Sequence, residues 1–461
     1  MHIVKEKRFY INLLTITIPI ALQNLISFAT SMMDTIMLGR ADDTGVFLSA
    51  SSLANQPFFI LSLVCFGLAG ASTVLSAQYW GKRDTASIRS IYSIILKVAF
   101  VISTLMALAV LIFPQAVMGI YSNNDEIIAA GISYLRIIGF AYILFGLSNT
   151  MICCIRSIEL VKISVVVNIT SFCTNVFLNW VLIFGNLGAP ALGIRGAAIA
   201  TVIGQIFGMA LGLWGVFRRQ KVLNVNMREF KWRGQTIKDI YRVGLPGIVM
   251  QSVVSVMTAG MNGILIAFSQ TAVNVLGVYF KLQTFVFMPV FGLNQGALPV
   301  MGYNYGARNR KRLMGAYKIT LTAAVVIMAL GLVLFQLLPE QMLMLFVDKS
   351  DAAAAQEMIE VGVPALKTIS LSFLGAAFGI INSTLFQATA RGMNSLIVSV
   401  CRQLVVILPA AWILGQQFGL NAVWYSFPIA EIAAFFISYI LLWREYRTEL
   451  RFLGVEREAK A

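Results

Sequence analysis

QNLISFATSMMDTIMLG, residues 23–39, decides how this chain folds. It lies inside an apolar run long enough to cross a bilayer, about 20 residues, and carries a single carboxylate, Asp34. A carboxylate at the centre of a membrane helix costs roughly 2.5–3.5 kcal/mol on insertion scales, so it is expected to face a protein interior or a water-filled cavity. The stretch recurs in the second half as QSVVSVMTAGMNGILI, residues 251–266. At one constant offset Gln23 falls on Gln251, Ser27 on Ser255, Thr30 on Thr258, Met33 on Met261 and Ile36 on Ile264. Asp34 falls on Asn262. A duplicated helix that is charged in one copy only points to a function resident in the first half. The competing role for Asp34 is structural, as a carboxylate paired with a nearby Arg or hydroxyl.

Working outward, apolar runs of spanning length recur from end to end, about twelve of them, the first near 11–38 and the last near 420–446. With 461 residues, 58% apolar and 12% charged, the chain lies far outside the range of soluble domains. The expected fold is an all-α polytopic membrane protein. A basic stretch at 218–242 divides the spans six and six, so the chain reads as an N-lobe (1–217), a linker (218–242) and a C-lobe (243–461). An even number of spans per half makes the repeat parallel, about an axis along the membrane normal. AQYWGKRD at Ala77–Asp84 answers GYNYGARN at Gly302–Asn309, and GISYLR at Gly131–Arg136 answers GVPALK at Gly362–Lys367.

The net charge of +15 suggests nucleic acid, but its distribution excludes that partner. Lys5, Lys7 and Arg8 precede the first span, Lys82, Arg83 and Arg89 follow the second, and Arg308, Arg310, Lys311 and Arg312 follow the eighth. Alternate loops carry acids such as Asp42, Asp43, Asp125, Asp348 and Asp351. That is the positive-inside pattern, which puts both termini in the cytoplasm. The first apolar segment is too long for a cleavable signal and lacks a small-residue cleavage site. All five cysteines fall in or beside spans, as small apolar residues rather than a disulfide frame. The single histidine is His2, and no phosphate loop, GxSxG or HExxH occurs, so enzymatic chemistry finds no support. Without a nucleotide site, active transport has to draw on an ion gradient.

Polar residues inside the spans are the remaining signal. Glu431 is the second intramembrane acid beside Asp34; it either pairs with Arg402 or Lys281 or serves function. In the fifth span Asn168, Asn175 and Asn179 share a helix face. They either glue helices together or complete, with Asp34 and Thr201, an oxygen shell for a monovalent cation. Met33 and Met261 either line a permissive cavity or face core and lipid. Gly204, Gly208 and Gly212 in the sixth span, and Gly375 and Gly379 in the tenth, mark close helix packing. Pro19 permits a bend that would move Asp34, and Tyr79, Trp80, Tyr303 and Tyr305 are expected as interfacial anchors.

MMDTIMLG at Met32–Gly39, AQYWGKRD, NVFLNWVLIFG at Asn175–Gly185, LGIRGAAIAT at Leu192–Thr201 and PVMGYNYGAR at Pro299–Arg308, together and in order, resemble the multidrug and toxic compound extrusion (MATE) transporters. The resemblance implies a V-shaped pair of six-helix lobes in a bacterial inner membrane. It implies export of organic, often cationic small molecules in exchange for H+ or Na+, with no other cofactor and a monomer as the working unit. Its cation site maps onto Asp34, Asn175, Asn179 and Thr201. Gln23, Met33, Gln251, Met261, Asn262, Arg402 and Glu431 are candidates for the substrate cavity. The chain departs from the family where many members carry an aspartate at the position of Asn179. Val254, Ser255, Ile380 and Asn382 stand where the sodium-coupled branch has acids, and Arg156-Ser157-Ile158-Glu159 replaces an Arg-x-x-Gly element. Two rival readings are a lipid-linked precursor flippase of the same superfamily, which would need a more basic cavity, and an uncoupled channel or receptor.

Overall fold

A computed structural model describes residues 7–42, 44–158, 160–219, 234–346 and 352–454. The centre of the basic linker (220–233), Lys5, Asp43, Glu159, Asp348, Lys349 and Asp351 lie outside the described residues. Among the described residues every regular element is a helix. The first half comprises α1 (Lys7–Ala41), α2 (Val46–Ala54), α3 (Gln56–Gly81), α4 (Thr85–Ile112), α5 (Pro114–Tyr121), α6 (Asp125–Ser157), α7 (Val161–Phe184) and α8 (Ile194–Arg219). The second half opens with α9 (Gly234–Leu265), α10 (Gln270–Gly306), α11 (Arg310–Leu337), α12 (Pro339–Met344) and α13 (Ala352–Ser370). It continues with α14 (Phe373–Ala388), α15 (Gly392–Val400), α16 (Ile407–Phe418), α17 (Leu420–Val423) and α18 (Ser426–Thr448). Among the described residues eleven helical stretches are long and apolar enough to cross a membrane, or twelve when the bent pair α13–α14 is taken as one span.

The chain forms two compact units, Leu22–Leu245 and Pro246–Ala461, the second taking in Met1–Ala21 as well. The first helix therefore contributes to both. Its early part packs on α10, where a Cβ at Gly292 or Gly296 would stand 2.5 Å from the Cα of Ala21 or Thr17. Pro19 lies in this segment, whereas Asp34 lies in the first-half unit.

The internal duplication is visible in its turns. After α3, Arg83 takes φ 61° and Asp84 caps α4 by accepting the Ser87 N–H at 3.0 Å. After α10, Arg308 takes φ 55° and Asn309 caps α11 by accepting the Arg312 N–H at 3.1 Å. The Asp84 N–H reaches back to the Tyr79 carbonyl at 2.9 Å, and the Asn309 N–H to the Asn304 carbonyl at 2.9 Å. Both are left-handed helix stops that satisfy otherwise orphaned carbonyls.

The halves differ elsewhere. α6 is unbroken, whereas α13 and α14 meet at a bend of 47°. At that bend the Ser370 and Ser372 hydroxyls donate to the carbonyls of Lys367 and Ile369 at 2.9 and 2.6 Å, competing with the helical ladder. Gln336 of α11 donates its Nε2 to the same Lys367 carbonyl at 2.7 Å, which holds the break open. A second irregularity is the π-helical stretch Cys401–Val406 between α15 and α16. Pro409 has no N–H for the Val405 carbonyl and its ring crowds that carbonyl, so the turn widens and Ile407 N–H bonds to the Arg402 carbonyl.

In the first-half unit α6 packs against α3, α4 and α8, while α7 lies along α8. α7 and α8 approach closely because a Cβ at Gly208 would fall 2.0 Å from Ser171 Oγ. In the other unit, edge-to-face rings form the core, with Phe287 and Phe335 each against Phe373, and Tyr279 against Phe335 and Phe427. The cysteines are all free thiols.

One expectation needs correction. Asp34 and Glu431 are not the only acids inside spans, for α18 carries Glu445 into the interior with 2% exposure. Glu445 accepts the Thr389 hydroxyl at 2.6 Å, and next to it Arg391 and Tyr305 both bond Glu449. Tyr305 is thus part of a polar cluster as well as a helix-end aromatic.

Candidate functional site

Three helices bring the first-half polar residues together. α1 supplies Asp34, α7 supplies Asn175 and Asn179 one turn apart, and α8 supplies Thr201. The Thr201 hydroxyl donates to its own helix at the Ala197 carbonyl, 3.0 Å away, which leaves its oxygen free to accept Asn175 Nδ2 at 3.2 Å. Asn175 Oδ1 accepts Asn179 Nδ2 at 3.2 Å, and the same Nδ2 donates to Asp34 Oδ1. The result is a continuous hydrogen-bonded line that ends on the carboxylate. Asn179 is fully buried, and its Oδ1 has no partner among the described residues. A buried acceptor of this kind calls for an explanation, since most find a donor. The group touching Asp34 is the Asn179 amide rather than an Arg or a hydroxyl. Tyr134, bonded to Asn55 Nδ2 at 3.4 Å, lies within electrostatic reach of Asp34. No motif marked either residue. Asn168 stays outside the line, donating to the Ser164 carbonyl at 3.0 Å.

The paired glutamines of the duplication part company. Gln23 is fully buried; its Nε2 donates to Ser164 Oγ at 2.9 Å and its Oε1 accepts from Arg156. Gln251 is exposed. Met33 is partly buried, Met261 is sealed in the second-half core, and Asn262 is partly buried on α9. The arginine of the altered Arg-x-x-Gly element is therefore tied to the first helix through Gln23.

In the second-half unit Glu431 meets Arg402, Oε1 to Nη1, at 3.0 Å. Lys281 stands instead over the Phe346 ring, 5.7 Å from its centre. Among the described residues no three His, Cys, Asp or Glu side chains gather as a transition-metal site would need. The donor set around Asp34, one carboxylate with amide and hydroxyl oxygens, suits a proton or a hard monovalent ion.

Comparisons with known proteins agree with this architecture. A family model described as MatE matches residues 19–181 and again 246–413, once in each half. The multidrug export protein MepA of Staphylococcus haemolyticus (strain JCSC1435) is 24% identical over 448 residues, covering 95% of this chain and 94% of that protein. MepA of Staphylococcus aureus (strain MSSA476) is 25% identical over 435 residues, covering 92% of each. Among solved structures, one described as MATE in the bent conformation superposes with a TM-score of 0.86 at 20% identity and covers 96% of both chains. An outward-facing multidrug resistance MATE family transporter of the MOP superfamily does so with 0.85 at 21%, again covering 96% of both. A helical fold of membrane-spanning length, duplicated within one chain and matched in both halves by the same family model, places this protein in the MATE family of multidrug efflux transporters.

Proposed function

We propose that the chain is an antiporter that exports organic, often cationic compounds in exchange for H+ or Na+, with Asp34 as the coupling group. The observation that carries this reading is the hydrogen-bonded line Thr201–Asn175–Asn179–Asp34 with its spare acceptor, Asn179 Oδ1. Ionised Asp34 takes an amide N–H from Asn179. Protonated Asp34 carries an O–H that needs an acceptor, and a half-turn of the Asn179 amide offers Oδ1. Asn175 then turns its Nδ2 to Asn179 Oδ1, and Thr201 donates to Asn175 Oδ1. The line has two polarities, each matched to one charge state of the carboxylate. Na+ is the other way to neutralise Asp34, with Asn179 Oδ1 as a second ligand. We favour H+, because one carboxylate among neutral amides is neutralised by one proton.

Neutralising Asp34 removes the charge that holds α1 against α7, and the helix bends at Pro19. Ion and substrate exchange follows if each favours a different state of that helix. The names of the relatives, multidrug export proteins, and the bent and straight conformations described for solved MATE structures support this picture. The loop charges favour cytoplasmic termini in a bacterial inner membrane, and one chain holds both halves, so a monomer suffices. The test is dye efflux from proteoliposomes under an imposed pH gradient or an imposed Na+ gradient. Efflux driven by neither gradient overturns the antiport reading.

A further inference from the structure

The geometry points to a second ligand site, inside the Pro246–Ala461 unit, in which Glu431 and Arg402 together bind zwitterionic organic compounds. This rests on the reading that the chain exports organic molecules. The pair is incompletely used as an ion pair. Glu431 Oε1 accepts Arg402 Nη1 at 3.0 Å, while Oε2 is buried without a partner among the described residues. Structural Arg–carboxylate pairs are frequently bidentate, with both oxygens engaged. Apolar residues of the same size commonly serve a buried site as well as an ion pair does, so the pair is weak evidence of a purely stabilising role.

Both side chains stay partly accessible, Arg402 at 25% and Glu431 at 14%, and the adjoining helix reaches them only through glycines. Gly375 and Gly379 on α14 face Glu431: a Cβ at 375 would stand 2.9 Å from Glu431 Cβ, and one at 379 would stand 3.8 Å from both Arg402 Nη1 and Glu431 Oε2. Any side chain at 379 would grow toward the free oxygen. Arg402 emerges from the π-helical stretch set up by Pro409, an irregularity common at functional sites. Its guanidinium offers five N–H donors, of which the Glu431 bond uses one. Aromatic rings lie close by: Tyr279, within electrostatic reach of both charges and packed on Phe427, and Phe435 on Phe378, next to Gly379 in sequence.

The charges cancel, and that selects the ligand class. A plain cation gains Glu431 but meets Arg402; a plain anion meets the reverse. A molecule with N–H donors on a cationic end and a carboxylate on the other satisfies the free Oε2 and the unused guanidinium donors together.

The test uses the full chain in lipid nanodiscs, with no gradient, and fluorescence anisotropy of two dyes. One is the zwitterionic free acid of an N,N′-diethylrhodamine, the other its ethyl ester, a cation with the same ring system. The unmodified protein should bind the free acid about tenfold more tightly than the ester. In the double variant Glu431→Gln/Arg402→Gln, which leaves no lone charge to unfold the unit, that ratio should fall to about one. Gly379→Leu, with both charges intact, should lose the preference too. Equal binding of the two dyes by the unmodified protein, or a preference that survives in the double variant, overturns the site. Efflux separates this from the export reading: gradient-driven export without a zwitterion preference sinks the site alone, and the preference without export sinks the antiport reading alone.

Discussion

Replacing Asp34 by Asn isolates the charge from the shape. In the structure Asp34 Oδ1 accepts the Asn179 amide, and an asparagine carbonyl can accept the same N–H. Changing a charge-assisted bond to a neutral one loses about 1 kcal/mol. Insertion scales assign an intramembrane carboxylate roughly 2.5–3.5 kcal/mol, of which the still polar asparagine recovers a part. The variant should therefore fold at least as well as the parent, with a melting temperature unchanged or raised by a few degrees. Coupling is a different matter. One elementary charge moving through 100 mV supplies about 2.3 kcal/mol, which sustains about a fiftyfold gradient of a neutral substrate. With no titratable or charged group at 34, that ratio should collapse to about one. The assay is dye accumulation in proteoliposomes under an imposed gradient, beside thermal unfolding of the same preparation. Normal gradient-driven accumulation by Asp34→Asn refutes the assignment. A strongly lowered melting temperature refutes it in another way, by showing that the charge serves the fold.

Further outcomes follow from neighbouring contacts. Asn175→Ala breaks the line between Thr201 and Asn179; it should weaken apparent Na+ affinity about tenfold if Na+ is the driver and leave proton-driven efflux within a fewfold, as read from efflux against Na+ concentration. Asn179→Asp adds a second carboxylate beside Asp34 and should shift the pH optimum of efflux upward, because two adjacent carboxylates do not both ionise readily; an unchanged pH profile would count against a shared site. Gln336→Leu removes the donor on the Lys367 carbonyl at the α13–α14 bend and should lower stability by about 1–2 kcal/mol, visible in thermal unfolding. Asp42, in the loop after α1, is held below the usual carboxylate range by the Thr44 hydroxyl and then by the Phe47 N–H. A depressed carboxyl contributes order above its unfolded pKa and loses that contribution as pH falls through its lower folded value. Amide exchange at Thr44 and Phe47 should therefore quicken below about pH 4 relative to Asp42→Asn, in which the difference vanishes.

Some of this was legible from residues alone. Hydropathy located the spans, because in lipid the backbone has no water to bond and has to close its hydrogen bonds within each helix. Repetition of residue types exposed the duplication, and the paired turns at Arg83 and Arg308 are its backbone counterpart. Asp34, Asn175, Asn179 and Thr201 stood out as polar groups in apolar runs.

What stayed hidden depends on which side chains meet across helices far apart in sequence. Nothing in QNLISFATSMMDTIMLG says that Gln23 turns to Arg156 and Ser164 while its counterpart Gln251 is exposed. Nor does it say that an amide faces Asp34. Glu445 carries no mark in the sequence, and only the packing of α18 brings it inward against Thr389. The break at Ser370–Ser372 needed Gln336 from another helix. Sequence by itself determined where this chain crosses the membrane and which polar residues lie within it, because burial in hydrocarbon is a local cost paid residue by residue. Partners are set by helix crossings and close glycine contacts such as Gly208 on Ser171, so only the tertiary structure decided which of those side chains touch.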